Sequence, residues 1–310
     1  MSMKLWFFLA SVFCGLLFWG CTGNGRKAPI DTPTAGDIAI AVDGSYQPLL
    51  DTQLYVFQHL YTKATVRPIY THEAGAYALL MADSVRFAVV CREPNAAEKQ
   101  QFDALHLKPR ITKLAIDAVA LVVHPQNTDT LLTLNQLQKV FSDSSCTWGA
   151  LKNTSGGGKI RVVFDHPASA NARFLSERFL KGGTLPQNCF AVNSNAEVIR
   201  YVAEHPEALG VISVSWISDA DDPEVQAFRK QVRMVSVAEG IGMPGVPPLQ
   251  AYIALKQYPL TRFMLAVSRE ARAGLGTGLV SFLAGEKGQR MVLKAGMVPA
   301  TMPVRIVDTK

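Results

Sequence analysis

Cysteine is scarce in this sequence, with five residues in 310. Their spacings fit neither a zinc site nor a redox pair, which excludes a disulfide framework and a zinc module. The six histidines show no metal-ligand spacing either. Glycine, at 23 residues, is too rare and too irregular for a collagen-like chain, and no heptad pattern marks a coiled coil. No run of Lys/Arg exceeds two residues, so the basic tail of a nucleic-acid binder is missing although the formal net charge is +6. A scattered positive balance suits a small anion better than a polymer. Charged residues make up 18% against 48% hydrophobic, which is too apolar for a disordered chain and enough for one large or two medium globular domains.

One long apolar run is present, and it lies at the start. Lys4 precedes 16 uncharged, mostly apolar residues (5–20) that end at Gly20-Cys21. At about 1.5 Å per residue the run reaches roughly 24 Å, short of a roughly 30 Å hydrocarbon core, which favours a cleaved signal over a permanent span. Cys21 after small Gly20 resembles a bacterial lipoprotein cleavage site, whose thiol is lipidated, although Phe18-Trp19 departs from the small and aliphatic residues usual there. The alternative is an incidental thiol in an ordinary signal. Residues 22–36, with three Gly and two Pro, read as a flexible tether. Of the remaining Cys91, Cys146 and Cys189, an odd number, at least one stays free or pairs between molecules; an export compartment permits one disulfide without requiring it.

From residue 37 onward short β-rich runs alternate with helical patterns, as in α/β layers. The runs at 37–42, 66–70, 85–90, 118–123, 160–164, 209–214, 232–237, 251–255 and 262–267 read as strands, several apolar throughout and so buried on both faces. Tyr46, Leu49, Leu50, Leu54, Phe57, Leu60 and Tyr61 recur at helical spacing and predict one amphipathic helix. Thr133 to Gln136 and Ser194 to Glu197 have the form of capping boxes. A helix over 170–181 stops at Gly182-Gly183, with Arg173 and Glu177 four apart, and two more cover 276–284 and 287–295.

Two places share one local pattern: a strand, a short polar turn and a helix start. The first runs from strand 37–42 through Asp43-Gly44-Ser45-Tyr46, with Ser45 as the expected N-cap. The second runs from strand 160–164 through Asp165-His166-Pro167-Ala168-Ser169, with Ser169 as the cap. A helix start offers about four unpaired backbone N–H donors with a partial positive charge behind them, so each is a candidate anion site; the plainer reading is that each serine only caps its own helix. Arg92 follows the buried run 85–90 at a strand's C-terminal end, where it supplies a bidentate cation or pairs with a neighbouring acid.

Other patterns carry less. The Gly156-Gly157-Gly158-Lys159 run lacks the frame of a phosphate-binding P-loop and reads as a loop, and Gly274 to Gly278 reads as a turn before a helix. Asp165, His166 and Ser169 lie in line without a strained nucleophile elbow, which argues against hydrolase chemistry.

In order along the chain, DGSYQP at 43–48, SVRFAVVCREP at 84–94, AVALVVHP at 118–125, the stretches 134–141 with Trp148 and 160–174, ALGVI at 208–212, YPL at 258–260, and GQR at 288–290 leading to GMVP at 296–299 resemble the PstS-like phosphate-binding family of ABC-transporter substrate-binding proteins, in a bacterial lipoprotein form. The likeness covers nearly all of residues 37–303. It implies an α/β, two-lobed periplasmic-binding-protein fold of type II, with lobe 1 from 37–118 and 251–310, lobe 2 from 119–250, and hinge crossings near 118–123 and 251–255.

By the same resemblance, Ser45 and Tyr46 match the family's first-turn Thr-Phe, and Ser169-Ala170-Asn171 its Ser-Gly-Thr at the second helix start. This chain departs from the pattern at two places. Cys91-Arg92 stands where the family has a ligand-accepting Asp, and Asp165 where it has an Arg. The resemblance then leaves Arg92 or Arg173 to supply the positive charge, alongside Ser45, Tyr46, Ser169 and Asn171 as ligand contacts. The implied function is capture of inorganic phosphate and its delivery to ABC permease subunits. The protein is expected to be a lipid-anchored, exported monomer with no catalysis, no metal, no cofactor and no nucleic-acid partner. The alternatives are another oxyanion or an organophosphate, or an envelope lipoprotein with a degenerate cleft that serves as an interaction or signalling partner.

Overall fold

A computed structural model describes residues 31–152 and 157–304. The expected signal (1–20), Cys14, Cys21 and the tether up to residue 30 lie outside the described residues. The described residues form one compact unit. The last part of the expected tether belongs to this unit: Asp31 Oδ1 accepts the Leu275 N–H at 2.9 Å, and β1 begins at Ala35.

The strands among the described residues are β1 (Ala35–Asp43), β2 (Lys63–Thr71), β3 (Phe87–Val90), β4 (Arg110–Val123), β5 (Leu131–Thr133), β6 (Arg161–Phe164), β7 (Cys189–Ala191), β8 (Ala208–Ser213), β9 (Arg233–Met234), β10 (Ser236–Ala238), β11 (Thr261–Ser268) and β12 (Val298–Pro299). The main sheet runs β2-β1-β3-β11-β4-β8-β6-β7, with β12 and β9 also on β4. β5 and β10 form a separate parallel pair.

β4 is the strand that both halves of the sheet share. Its residues up to Ala118 pair antiparallel with β11, and from Val119 onward with β8, so the partner changes between two adjacent residues. A register shift between Met264 and Leu265 bulges the pairing just before that change, and such a bulge bends the ladder. Parallel pairings β1–β2, β1–β3, β6–β7 and β6–β8 build the two outer parts.

Strand alternation sorts the core. Ile38, Ile40 and Val42 of β1 join the main cluster with Leu49, Leu50, Leu54 and Phe57 of the helix Gln47–Leu60, whereas Ala41 turns to the opposite face with Ala76, Tyr77 and Leu80 of the helix Glu73–Met81. Both faces of this sheet are covered, as expected for parallel strands. Leu60, read as part of the apolar stripe, is exposed. In the other half, Gly210 of β8 lets the helix Asn195–Glu204 approach closely. A Cβ there would meet Val202 Cγ2 at 2.6 Å and Val122 Cγ2 at 2.8 Å.

Two strand expectations fail. The run 251–255 lies in the helix Gln250–Ala254, and 232–237 is split into β9 and β10. AYIAL is too short for periodicity to separate the two states. Its backbone closes helical bonds, with the Ile253 N–H donating to Leu249 O at 3.0 Å. The cysteines Cys91, Cys146 and Cys189 are all free, and no described helix is long and apolar enough to cross a membrane.

Candidate functional site

The first turn leaves the C-terminal end of β1 as a short 3-10 segment, Gly44–Tyr46, before the helix Gln47–Leu60. Its cap is Asp43, whose Oδ1 accepts the Ser45 N–H at 2.9 Å. Ser45 therefore does not cap the helix as expected. The 3-10 start moves the capping position back by two residues and releases the Ser45 hydroxyl. Pro48 falls in the first helical turn, where a missing N–H costs nothing.

The second turn leaves β6 and enters the helix Ala170–Leu180, and here Ser169 is the cap, its Oγ accepting the Ala172 N–H at 3.2 Å. Asp165 is buried at the start of this turn and accepts Asn171 Nδ2 at 3.0 Å and Asn195 Nδ2 at 3.3 Å. His166 does not orient Ser169. Its Nδ1 accepts the Ala168 N–H at 3.0 Å, and its ring stacks on His72 with centroids 4.3 Å apart.

A chain of hydrogen bonds, with one hydroxyl–hydroxyl contact between Ser213 and Ser215, joins the two turns. Ser215 Oγ donates to Ser45 O at 2.8 Å and lies 3.2 Å from Ser213 Oγ, while the Ser213 N–H donates to Asn195 Oδ1 at 3.3 Å. Asn195 then leads to Asp165 and Asn171. Trp216 Nε1 adds a bond to Gly44 O at 3.3 Å. The loop after β8 thus ties the first turn to the second.

Ser213 Oγ also donates to Asp117 Oδ1 at 2.9 Å, and Asp117 Oδ2 accepts Arg262 Nε at 2.9 Å. Arg262 on β11 lies opposite Asp117 on β4 and has a side chain only 3% exposed. Its two terminal nitrogens are buried and have no hydrogen-bond partner among the described residues. The same holds for Asp43 Oδ2, Ser45 Oγ, Tyr46 OH and Asn171 Oδ1. Gln53 and Tyr201 contribute similar atoms elsewhere, but these five residues belong to one cluster. The charge of Arg262 is felt at Asp43, Tyr46, Cys91 and Asp165. Buried polar atoms are normally paired, so such a concentration of unpaired donors and acceptors marks a place built to hold a polar ligand.

Burial, with Asp165 nearby, pushes the Asp43 carboxyl up to about 7, against the pull of the Ser45 hydrogen bond and Arg262. Burial likewise raises Asp165. Arg262 is held in its charged form despite burial, because Cys91, Tyr46, Asp117 and Asp43 surround it.

The two arginines expected from sequence are placed differently. Arg92 makes a fork to Glu98 at 2.6 and 2.8 Å, approaches Glu73 at 3.2 Å and covers the Tyr77 ring at 4.4 Å. Arg173 pairs with Glu73 at 2.5 Å and Glu177 at 2.6 Å and donates to Cys91 Sγ at 3.1 Å. Burial opposes the Glu73 charge, yet Arg173 and Arg92 hold its carboxyl below the usual range. Both guanidinium groups are thus engaged by carboxylates. Arg262 is the cation that sequence reasoning missed; the available signal was a charge in the middle of an apolar strand, with Asp117 as its counterpart in another. No described cluster of three or more His, Cys, Asp or Glu has the form of a metal site.

A family model described as a PBP superfamily domain matches residues 27–287. The phosphate-binding protein PstS of Bacillus subtilis (strain 168) is 20% identical over 298 residues, covering 95% of this chain and 91% of that protein. The phosphate-binding protein PstS of Pseudomonas aeruginosa (strain PAO1) is 21% identical over 267 residues, covering 81% and 79%. Among solved structures, one assigned as the substrate-binding protein of a phosphate ABC transporter from Clostridium perfringens, with phosphate bound, aligns with a TM-score of 0.70 at 19% identity, covering 84% of this chain and 99% of the other. An ABC-type phosphate transport receptor from Vibrio cholerae aligns with a TM-score of 0.62 at 21% identity, covering 84% and 99%. These likenesses show the fold, a two-lobed α/β architecture.

Proposed function

The chain belongs to the PBP superfamily, and from that premise we propose that it is an extracytoplasmic solute-binding protein that captures inorganic phosphate between its lobes for an ABC permease. The observation that carries this reading is the buried Arg262 fork with two unpaired terminal nitrogens, in one cluster with the unpaired hydroxyls of Ser45 and Tyr46. A guanidinium fork matches two oxygens of a tetrahedral oxyanion. The start of the helix Ala170–Leu180 adds backbone N–H donors and a favourable dipole, with Asn171 and the Ser169 hydroxyl beside it. Phosphate-binding relatives at 20% and 21% identity support the choice of anion.

No covalent bond is made or broken in this role. Desolvation of the anion is offset by charge-assisted hydrogen bonds, and ligand shifts the lobes toward closure. The lobes are 37–118 with 251–310, and 119–250; the partner switch on β4 between Ala118 and Val119 supports the first boundary. Arg173 stands outside the anion's contacts and joins the lobes through Glu73, and Arg92 braces the same glutamate. The chain acts as a monomer, held at the membrane by a lipid on Cys21.

Calorimetry on protein freed of carried-over ligand tests this role with phosphate, sulfate and a sugar phosphate. Saturable heat with phosphate alone is expected. Silence with all three removes the transport function.

A further inference from the structure

Every ligand of this cluster has to satisfy acceptors as well as donors, and the acceptors fix its protonation. The Ser213 backbone N–H can only donate, so the Asn195 atom facing it at 3.3 Å is Oδ1. Asn195 Nδ2 then faces Asp165 Oδ2. Asn171 Nδ2 serves both Asp165 Oδ1 at 3.0 Å and Asn195 Oδ1 at 3.4 Å. Asn171 is therefore left with a buried carbonyl oxygen, an atom that only accepts. Asp43 uses Oδ1 on the Ser45 N–H and is left with Oδ2, likewise buried and unpaired.

Resting on the phosphate reading above, we propose that the site holds phosphate as its singly charged, doubly protonated form, with one phosphate hydroxyl donating to Asp43 Oδ2 and the other to Asn171 Oδ1. The two remaining oxygens face the Arg262 fork. Where Asp43 is ionised, a fully ionised tetrahedral anion has no proton for either acceptor and leaves both desolvated and unpaired, which is the costly arrangement.

Charge points the same way. Around Asp43 stand Asp165 and Glu73 with Arg262, Ser45 and Tyr46, and the Cys91 thiol and Asp117 complete the cluster around Arg262. Glu73 is matched by Arg173 and Arg92, and Asp117 by Arg262 itself. His72 and His166 line the adjoining cavity of about 320 Å³ together with Asp165, and each accepts a backbone N–H at Nδ1, which requires the neutral ring. The one charge of Arg262 therefore has to serve Asp117, the anion and two further carboxyls, Asp43 and Asp165, which burial already pushes toward the neutral form. A dianion is poorly compensated there, and a monoanion much better.

The proton between phosphate and Asp43 belongs to both. A dihydrogen phosphate on a carboxylate and a monohydrogen phosphate on a carboxylic acid hold the same number of protons, and the Asp43 carboxyl, pushed up to about 7, suits either side. What distinguishes the site is the count. On the alkaline side, where free phosphate is mostly the dianion and Asp43 is ionised, binding takes up one proton.

Phosphate calorimetry from about pH 6 to pH 9, repeated at the alkaline end in two buffers of different ionisation enthalpy, reads that count directly. Expected is greatest affinity near neutrality, a fall of about tenfold per pH unit above it, and uptake of one proton per phosphate. Asp43→Asn keeps an oxygen for the Ser45 cap but turns an N–H toward the ligand. It is expected to lose the alkaline fall and to admit sulfate. Phosphate binding with constant alkaline affinity and no proton uptake overturns the protonation state while the phosphate role stands. A Asp43→Asn variant that keeps the fall and still rejects sulfate overturns the assignment to Asp43. Absence of phosphate binding at every pH overturns the role and this inference together.

Discussion

Arg262 and Asp117 face each other on neighbouring strands, Nε to Oδ2 at 2.9 Å, with side chains 3% and 0% exposed. This pair does two things at once. Asp117 fixes the inner edge of the guanidinium and lowers the cost of burying it, and the outer edge is left with two nitrogens that nothing in the described protein engages. Removing one partner of such a pair strands the other as a buried charge. Arg262→Met is therefore expected to lose about 3–5 kcal/mol of stability and to abolish phosphate binding. Adding Asp117→Asn should recover part of the stability and none of the binding, as read by urea unfolding and calorimetry on the same samples.

The two turn serines separate capping from binding. Ser45 Oγ has no partner in the described protein, whereas Ser169 Oγ caps its helix. Ser45→Ala should leave stability nearly unchanged and weaken phosphate by about 1–3 kcal/mol. Ser169→Ala should weaken phosphate too, and also destabilise the fold by about 1 kcal/mol through loss of the cap. Equal unfolding midpoints for the two variants would count against the assigned caps.

Acid should loosen the contact between His72 and His166. Their rings stack at 4.3 Å and 7°, and His72 Nδ1 caps the helix Glu73–Met81 by accepting the Gly75 N–H. Burial, then the nearby His166, lowers the His72 pKa. A group whose folded value is lowered contributes stability fully above its ordinary value, and that contribution is lost as pH falls through the lowered one. Urea midpoints should drop between about pH 7 and pH 5, and His166→Gln should flatten that drop. An unchanged slope in His166→Gln would locate the acid sensitivity elsewhere.

Gly210 offers a test of packing far from the ligand. Any Cβ at this position enters the contact radii of Val202, Val122 and Val198. Gly210→Ala is expected to cost about 1–3 kcal/mol by overpacking. Retention of wild-type thermal stability would mean that the Asn195–Glu204 helix shifts without strain.

The strand–turn–helix units were legible in the sequence because their determinants are local. Short β-rich apolar runs mark β1 and β6, and Thr133, Ser169 and Ser194 each accept a first-turn N–H as their spacing predicts. The cap at Asp43 was missed by two residues, since nothing in DGSY distinguishes a 3-10 start from an α start. Arg262 was missed for a different reason. Its partner lies 145 positions away, and only the sheet order that sets β11 beside β4 makes the two charges neighbours. Part of the engagement of Arg92 and Arg173 was legible, since Glu98 and Glu177 are near neighbours along the chain, whereas Glu73, 100 positions from Arg173, becomes a partner of both only through the fold. Ionic partners of this kind are set by topology and leave no local pattern.

A crystal structure of the phosphate complex tests the central claim most directly. Phosphate oxygens are expected within about 3 Å of both terminal nitrogens of Arg262, of Ser45 Oγ and of Asn171 Oδ1. Phosphate seated instead on Arg92 or Arg173, with the Arg262 fork still unengaged, would contradict it.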